Sequence, residues 1–136
     1  MDNSIVWGNA VGPTGQVSAG INVSYSNIEG GYPGVSNLNT APGFVSTTNF
    51  RLSAGSPCID SGDNAALPPG AFEDLDGHSR FFDAPEPDTG SGSAPYVDRG
   101  CYEAAAPVLC YANCDFSSLA PVLNVNDFSC FLNRFA

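Results

Sequence analysis

The sequence predicts a mainly β fold assembled from short strands and many turns. Gly, Ser and Asn together account for nearly a third of the 136 residues, whereas the helix-forming residues Glu, Lys and Gln are scarce. The apolar runs are only two to five residues long in the first half of the chain. This pattern suits short strands between turns and excludes a helical bundle. Aromatic residues make up 11% of the chain, a content that excludes a disordered protein.

The candidate strands all lie in the first half of the chain. They comprise residues 4–7, 21–25, 27–29, 44–45 and 50–52. Segments this short do not build a sandwich, but they suit a parallel β-helix, in which each coil holds three short strands that pair with neighbouring coils. Asn3-Ser4-Ile5 and Ser26-Asn27-Ile28 form a loose repeat about one coil apart, as such stacking requires.

The charge of the chain limits its partners. Fourteen acidic residues face four arginines, and the net charge is −10. Such a chain cannot neutralise phosphates, so we expect neither nucleic acid nor an anionic membrane as a partner. No apolar run reaches the roughly 18 residues of a membrane span, and Met1 is followed by Asp-Asn-Ser, so we expect neither membrane insertion nor a signal peptide in these residues. The acidity suits calcium ligation or solubility.

The acidic residues also divide the chain. Residues 1–58 contain two of them, and residues 59–103 contain ten. Residues 104–107, Ala-Ala-Ala-Pro, form a linker-like stretch, after which residues 108–136 combine an Asn/Asp-bearing loop with an apolar segment of helical spacing. The sequence therefore predicts terminal β-helix coils and capping turns over 1–103, a linker over 104–107 and a small module over 108–136.

Cysteine usage points to an oxidising, extracellular setting. The five cysteines are Cys58, Cys101, Cys110, Cys114 and Cys130. That number in an acidic, turn-rich chain favours disulfides, with buried free thiols as the alternative. Zinc is not expected, because the single histidine, His78, lies far from the cysteines in the sequence.

Several segments carry a resemblance to a known family. They are residues 3–9, 25–31, 39–45, 50–52 and 55–64, followed in order by 74–77 with Arg80 and by 97–103. In this order they resemble the C-terminal end of the bacterial right-handed parallel β-helix proteins of the choice-of-anchor Q type. The resemblance implies the terminal coils of a right-handed parallel β-helix in a secreted or surface-attached protein, mostly without an assigned chemistry.

The tail resembles a second family. Residues 114–118, 123–128 and 131–135 are similar to one half of a GC-type dockerin, an EF-hand-like calcium loop followed by a helix. The resemblance implies calcium as a cofactor. The implied ligands are the side chains of Asp115, Ser117, Asn124 and Asp127 and the carbonyls of Leu119 and Val122. Alternatively, Asp127 or Asn126 caps the helix that begins near Phe128.

The predicted tail helix has an apolar face. Phe128, Phe131, Leu132 and Phe135 recur at helical spacing. This face either packs on the β-helix or forms an interaction surface, for example for a cohesin-like partner.

The disulfide pairing stays open. The β-helix resemblance implies a bridge between Cys58 and Cys101, which fall in segments that end the β-helix in that family. Cys114 and Cys130 flank the dockerin-like loop, and a bridge between them would tie the loop to its helix. Cys110 is then left over, or it pairs with Cys101 or Cys130 instead.

Two acidic motifs have both a metal and a structural interpretation. The segment Asp74-Leu75-Asp76-Gly77 places two carboxylates on one side of a turn. Such carboxylates either bind a metal or, more commonly, accept hydrogen bonds from backbone N–H groups of the turn. Asp60 and Asp63 are expected to act likewise as turn and backbone ligands. These acids also provide ion-pair partners for Arg51 or Arg80.

We expect no catalytic activity. Enzymes that share the β-helix fold need clustered acids or a basic residue on one exposed face of stacked coils. Arg51, Arg80 and Arg99 are scattered here, and the acids concentrate after residue 59, past the clearest coils. A fragment of a polysaccharide lyase or glycoside hydrolase is an alternative that rests on fold analogy alone.

The first predicted strand implies an assembly. If residues 5–7 are a strand of a coil with nothing above it, unpaired backbone groups and the apolar interior are uncovered, and Ile5 and Trp7 face solvent. Either the chain is a fragment of a longer protein, or another chain covers this edge as a closed dimer or an open filament.

The sequence therefore predicts a non-catalytic, extracellular structural or adhesive module. It would self-associate or attach to a cell or polymer surface, with calcium stabilising its tail. The alternative is a dockerin-type module that binds a protein or a polysaccharide, for which an exposed face of Phe128, Phe131 and Phe135 would be the sign.

Overall fold

A computed structural model of the chain describes residues 1–9 and 16–104. The described residues belong to one compact unit, Met1–Ala104. The predicted calcium loop, the helix face of Phe128, Phe131 and Phe135, and the three cysteines Cys110, Cys114 and Cys130 lie outside the described residues. Within the described part, no helix is long and apolar enough to cross a membrane.

Regular secondary structure is sparse. Strand β1 is Ile5–Val6 and strand β2 is Asn27–Ile28, and the two pair in parallel with Ile5 opposite Asn27 and Val6 opposite Ile28. The only helix in the described ranges is a 3₁₀ turn, Asn64–Ala66, capped by the Asp63 side chain, which accepts from the Ala65 N–H. The described part of the chain thus has a non-helical, low-regularity fold with little strand, which confirms the coarse prediction of short strands and many turns.

Parallel pairing continues beyond the two strands as single bridges. Before β1, Asp2 pairs with Ser24. Asn27 pairs a second time, with Leu38, so that β2 lies between β1 and Leu38. The two segments of the predicted repeat are therefore paired in parallel. Stacking of this kind depends on backbone hydrogen bonds between chain segments far apart in sequence, such as the Asn27 N–H to the Ser4 carbonyl at 2.8 Å.

One pair of expected coil strands adopts a different arrangement. Phe44 and Leu52 form an antiparallel bridge, and the Val45 N–H donates to the Arg51 carbonyl at 2.9 Å. The cause is local, because the Ser46 hydroxyl accepts from the Asn49 N–H at 3.0 Å and closes a turn between the two segments. This part of the chain is a hairpin, and the expectation that it supplies stacked coil strands is wrong.

The interior of the unit is small and unusually polar. The buried apolar residues are Val23, Ile28, Cys58, Ile59, Ala84 and Val97. They share the interior with buried Ser26, Asn27, Asp60, Ser61, Asp98 and Arg99. Polar groups in such a place have to be hydrogen-bonded, so the fold depends on satisfied polar contacts as well as on apolar burial.

Arg99 illustrates how the polar interior joins distant segments. Its Nε and Nη2 atoms donate to the Ser61 carbonyl at 3.0 and 2.9 Å, and its Nη1 atom donates to the Ser26 carbonyl at 3.3 Å. Asn3 makes a second connection, since its side chain donates to the Asp63 carbonyl and accepts from the Asp63 N–H at 2.8 and 2.7 Å. These contacts hold the first and last segments of the unit against its centre.

Candidate functional site

Strand β1 has one paired edge and one open edge. The Ser4 and Val6 carbonyls accept from β2 and the residue after it, so the backbone groups of Ser4 and Val6 point toward β2. Successive residues of a strand direct these groups to opposite edges, so the N–H and C=O of Ile5 point away from β2. In the described part of the chain nothing bonds to them. On the same edge, the Asn3 carbonyl is already occupied by the Gly100 N–H at 2.8 Å.

A largely apolar groove of about 500 Å³ lies along β1. Its lining residues are Asn3, Ser4, Ile5, Val6, Trp7, Asn9, Phe44, Phe50, Leu52 and Arg99–Tyr102. Phe50 is 55% exposed at its mouth and packs edge-on against Phe44, with ring centroids 5.3 Å apart. None of these residues is acidic, although the chain carries fourteen acids.

The sequence predicted Ile5 and Trp7 as interaction residues, and the structure places both in this groove. They are half-buried, whereas the sequence predicted that they face solvent. For Ile5 the reason is the adjacent Gly100, because a Cβ added there would lie 3.1 Å from the Ile5 side chain. Sequence analysis missed Phe50 as part of the groove, and its place in an alternating apolar segment gave no sign of its exposure.

Ionic contacts of Arg51 hold one wall of the groove. The Arg51 guanidinium lies 4.6 Å from the centroid of the Tyr102 ring. It also donates from Nε to Asp76 at 2.6 Å, and this hydrogen bond holds the pKa of the Asp76 carboxyl below its usual range. The expectation that one of these acids pairs with Arg51 is confirmed.

The two described cysteines are free thiols. Cys58 is buried and Cys101 is exposed, so the Cys58–Cys101 disulfide implied by the β-helix resemblance is not formed. Cys58 instead accepts a hydrogen bond from the Asn27 amide at 3.2 Å, and burial raises the pKa of its thiol. Cys101 faces the groove and its backbone carbonyl accepts from Leu75 at 3.1 Å.

A buried ionic cluster lies behind the groove. Arg80 Nε is 3.3 Å from Glu103 Oε1, which is close enough for an ion pair, although the angle is not that of a hydrogen bond. Glu103 accepts from the Asp98 N–H at 2.9 Å, and Asp98 accepts from the Asp60 N–H at 2.8 Å. Burial raises the pKa of Asp98 to about 6 and that of Glu103 to about 9. The cluster takes up protons more readily in the folded than in the unfolded chain.

The Asp74-Leu75-Asp76-Gly77 motif is a turn held by its own acids. Asp74 Oδ1 accepts from the Asp76 and His78 N–H groups, both at 2.8 Å, and Asp74 Oδ2 accepts from the Glu103 N–H at 2.9 Å. Burial alone would raise the pKa of Asp74, but these hydrogen bonds outweigh it and lower the pKa. The backbone therefore occupies the oxygens that a metal would need, as the structural interpretation of this motif predicts.

A second acidic cluster was not recognised from the sequence. Carboxylate oxygens of Asp60, Asp83 and Asp88 lie within 4.8 Å of one another. The sequence identified Asp60 as a turn ligand and gave no role to the other two. The one available signal was the acidic segment Asp83-Ala-Pro-Glu-Pro-Asp88, but nothing in the sequence places it over Asp60.

Comparison with protein-family models, with curated proteins and with solved structures found no match to this chain.

Proposed function

We propose that the chain is a non-catalytic structural module that self-associates through the open edge of β1 and the groove beside it. The observation that carries this proposal is the outward-facing N–H and C=O of Ile5 at an apolar groove. An open strand edge is a template for pairing with another extended segment. The predicted extracellular setting, the calcium-stabilised tail and the absence of catalysis belong to the same proposal.

The finer fold that fits this function is the terminal part of a right-handed parallel β-helix. Two observations support it: the parallel pairing of β1 with β2 and the offset of 22 residues from Ile5 to Asn27. An offset of this size accommodates the three short strands and turns of one coil. In such a stack, β1 would be the strand that a further layer covers.

The occupant of the open edge that we propose is a second copy of the chain. Each chain carries a charge of −10, so two copies repel one another unless they meet at an acid-free surface. The groove is such a surface among the described residues. Because the Gly100 N–H bonds to the Asn3 carbonyl, Ile5 is the one residue of β1 whose backbone groups are free on this edge among the described residues. Two Ile5 residues related by a two-fold axis would then bond to each other as one hydrogen-bonded antiparallel pair.

Light scattering on a sizing column tests this proposal. We expect the wild-type chain to elute as a dimer that strengthens with added salt, because salt screens the repulsion between two acidic chains. Phe50→Glu places a carboxylate at the mouth of the groove, and across a two-fold axis this brings two like charges together. We expect this variant to be monomeric at concentrations where the wild type is dimeric.

Phe72→Glu is the matched control. Phe72 is 63% exposed, compared with 55% for Phe50, and it does not line the groove. The same change of chemistry should therefore leave the dimer intact. A wild type that stays monomeric, a filament in place of a dimer, or equal masses for the two folded variants would each overturn the proposal.

A further inference from the structure

We propose that the cluster of Asp60, Asp83 and Asp88 is a calcium-binding site. It lies in the described unit and is separate from the dockerin-like loop of the tail. It also does not depend on self-association at the β1 edge.

The backbone folds residues 83–90 around Asp60. Asp60 Oδ2 accepts from the Ala84 N–H at 3.2 Å, and the Asp60 carbonyl accepts from the Thr89 and Gly90 N–H groups, both at 3.0 Å. These bonds fix both ends of the segment, so the Asp83 and Asp88 carboxylates lie near that of Asp60. The arrangement is thus built by the main chain and does not depend on flexible surface side chains meeting.

Asp60 supplies an independent sign that this arrangement binds a ligand. Its side chain is fully buried, at 0% exposure, and in the described part of the chain its Oδ1 atom has no hydrogen-bond partner. A buried carboxylate oxygen without a partner costs free energy unless a cation or a donor satisfies it. The carboxylate lies in the cluster beside the carboxylates of Asp83 and Asp88, which are two more acceptors.

The electrostatics of the cluster favour a cation. No arginine of the described unit forms an ion pair with any of the three acids. Burial, and after it the charges of Asp98, Asp88 and Asp83, raise the pKa of Asp60 to about 6. A bound divalent cation would remove the repulsion among the three acids and satisfy the free oxygen.

The donor set selects calcium among the common divalent metals. All three side-chain ligands are carboxylates, which suit the hard cations calcium, magnesium and manganese, whereas zinc and copper favour sites with nitrogen or sulfur. Among the hard cations, magnesium demands a near-ideal octahedron, whereas calcium accepts a flexible geometry. Asp83 and Asp88 are exposed, so water can complete the six to eight oxygens that calcium takes. With three carboxylates in a partly open site, we expect a dissociation constant on the order of 10⁻⁴–10⁻³ M.

The Asp74, Asp76 and His78 group does not support the same inference. Both Asp74 oxygens are engaged by backbone N–H groups, and Asp76 pairs with Arg51. The His78 side chain is 43% exposed. His78 Nδ1 is also buried without a hydrogen-bond partner among the described residues, but it lies 3.6 Å from an Asp74 oxygen that is already engaged. The two clusters differ because Asp60 keeps a buried carboxylate oxygen without a partner, whereas both Asp74 oxygens are hydrogen-bonded.

Calorimetric titration of the full chain with Ca²⁺, together with thermal unfolding in Ca²⁺ and in EDTA, tests the proposal. We expect 10 mM Ca²⁺ to raise the Tm of the wild type by about 5–15 °C. Asp83→Asn/Asp88→Asn should weaken calcium binding by more than about tenfold, because the charge count of the ligands sets the affinity. In EDTA its Tm should equal or exceed that of the wild type, since two charges that oppose Asp60 are gone.

Asp115→Asn/Asp127→Asn is the matched control, because it removes the same number of charges from the predicted tail loop. We expect this variant to keep the part of the calcium response that Asp83→Asn/Asp88→Asn loses. A wild type without a calcium response would overturn the proposal. So would an Asp83→Asn/Asp88→Asn variant with the full response while the tail variant has none.

Discussion

Replacement of Arg80 with methionine tests how the unit accommodates its buried acids. The Arg80 side chain is almost fully buried, and its guanidinium is paired with Glu103. Its Nη1 and Nη2 atoms donate to the carbonyls of Gly100 and Asp98 at 3.0 and 2.8 Å. Methionine retains most of the apolar stem but removes the charge and the donors.

The expected loss depends on pH, because both neighbouring acids already resist ionisation. The pKa values of Asp98 and Glu103 are raised from 3.8 to about 6 and from 4.5 to about 9, chiefly by burial, and Arg80 partly offsets each rise. A carboxyl group whose folded pKa exceeds its unfolded value contributes stability that is complete below the unfolded pKa and is lost as pH rises through the folded pKa. The wild type should therefore become less stable as pH rises from 5 to 9.

Without Arg80, both folded pKa values rise further. In the wild type, the contribution of Asp98 to the free energy of unfolding stops changing above pH 6. In the variant it continues to fall above this pH, by up to about 1.4 kcal/mol per pH unit. We expect the variant to lose about 1–3 kcal/mol at pH 5, from carbonyls left without donors. At pH 8 we expect a loss of about 3–5 kcal/mol, because the Asp98 contribution adds up to about 3 kcal/mol over the two pH units above 6, whereas Glu103, with a pKa of about 9, stays mostly protonated.

Urea unfolding followed by the fluorescence of the single tryptophan, Trp7, measures both losses. Arg51→Met is the control, because it breaks an exposed pair with Asp76, whose pKa is lowered, so that its effect should be small and nearly equal at pH 5 and 8. An equal loss for Arg80→Met at the two pH values would refute the electrostatic reasoning. It would leave hydrogen bonding and packing as the whole role of this side chain.

Two further predictions concern positions with a clear matched partner. Iodoacetamide should label Cys101 rapidly and Cys58 only as the protein unfolds, because Cys101 is exposed whereas Cys58 is buried with a raised thiol pKa. Peptide mass spectrometry measures the two labelling rates, and equal rates would contradict the burial of Cys58. Gly34→Ala should destabilise the unit by at least about 3 kcal/mol, because a Cβ there would lie 1.8 Å from the Val23 carbonyl oxygen. Gly30 also has a positive φ but has open space around it, so Gly30→Ala should lower the free energy of unfolding by only about 1–2 kcal/mol. Similar urea midpoints for the two variants would show that the chain can move away from position 34.

Features governed by neighbouring residues could be predicted from the sequence. The capping role of Asp63, the turn at Asp74 and the short strand at Ile5–Val6 all depend on residues within a few positions, and the sequence identified each of them. The parallel pairing of β1 with β2 also followed, because the two segments resemble each other.

Features set by contacts between distant segments could not be predicted. The hairpin that joins Phe44 to Leu52 depends on the turn that the Ser46 hydroxyl closes. The apolar periodicity of this segment fits a hairpin and stacked coil strands equally well, so it could not predict which one forms. The convergence of Asp83 and Asp88 on Asp60 depends on backbone hydrogen bonds to one buried residue. A run of acids and prolines is equally typical of a solvated loop.

The polar interior and the open edge have one physical origin. The unit buries only six apolar residues in its described part, too few for apolar burial alone to stabilise it. Its segments are therefore also joined by side chains that bond to backbone groups, as Arg99 does to the carbonyls of Ser26 and Ser61. Such hydrogen bonds close the unit where Asn3, Asp63 and Gly100 meet, but among the described residues they leave the backbone of Ile5, two residues further along the chain, without a partner. The larger apolar side chains, among them Phe50, are displaced to the margin of the same groove. Self-association through this edge would then complete a core that one chain alone leaves partly exposed.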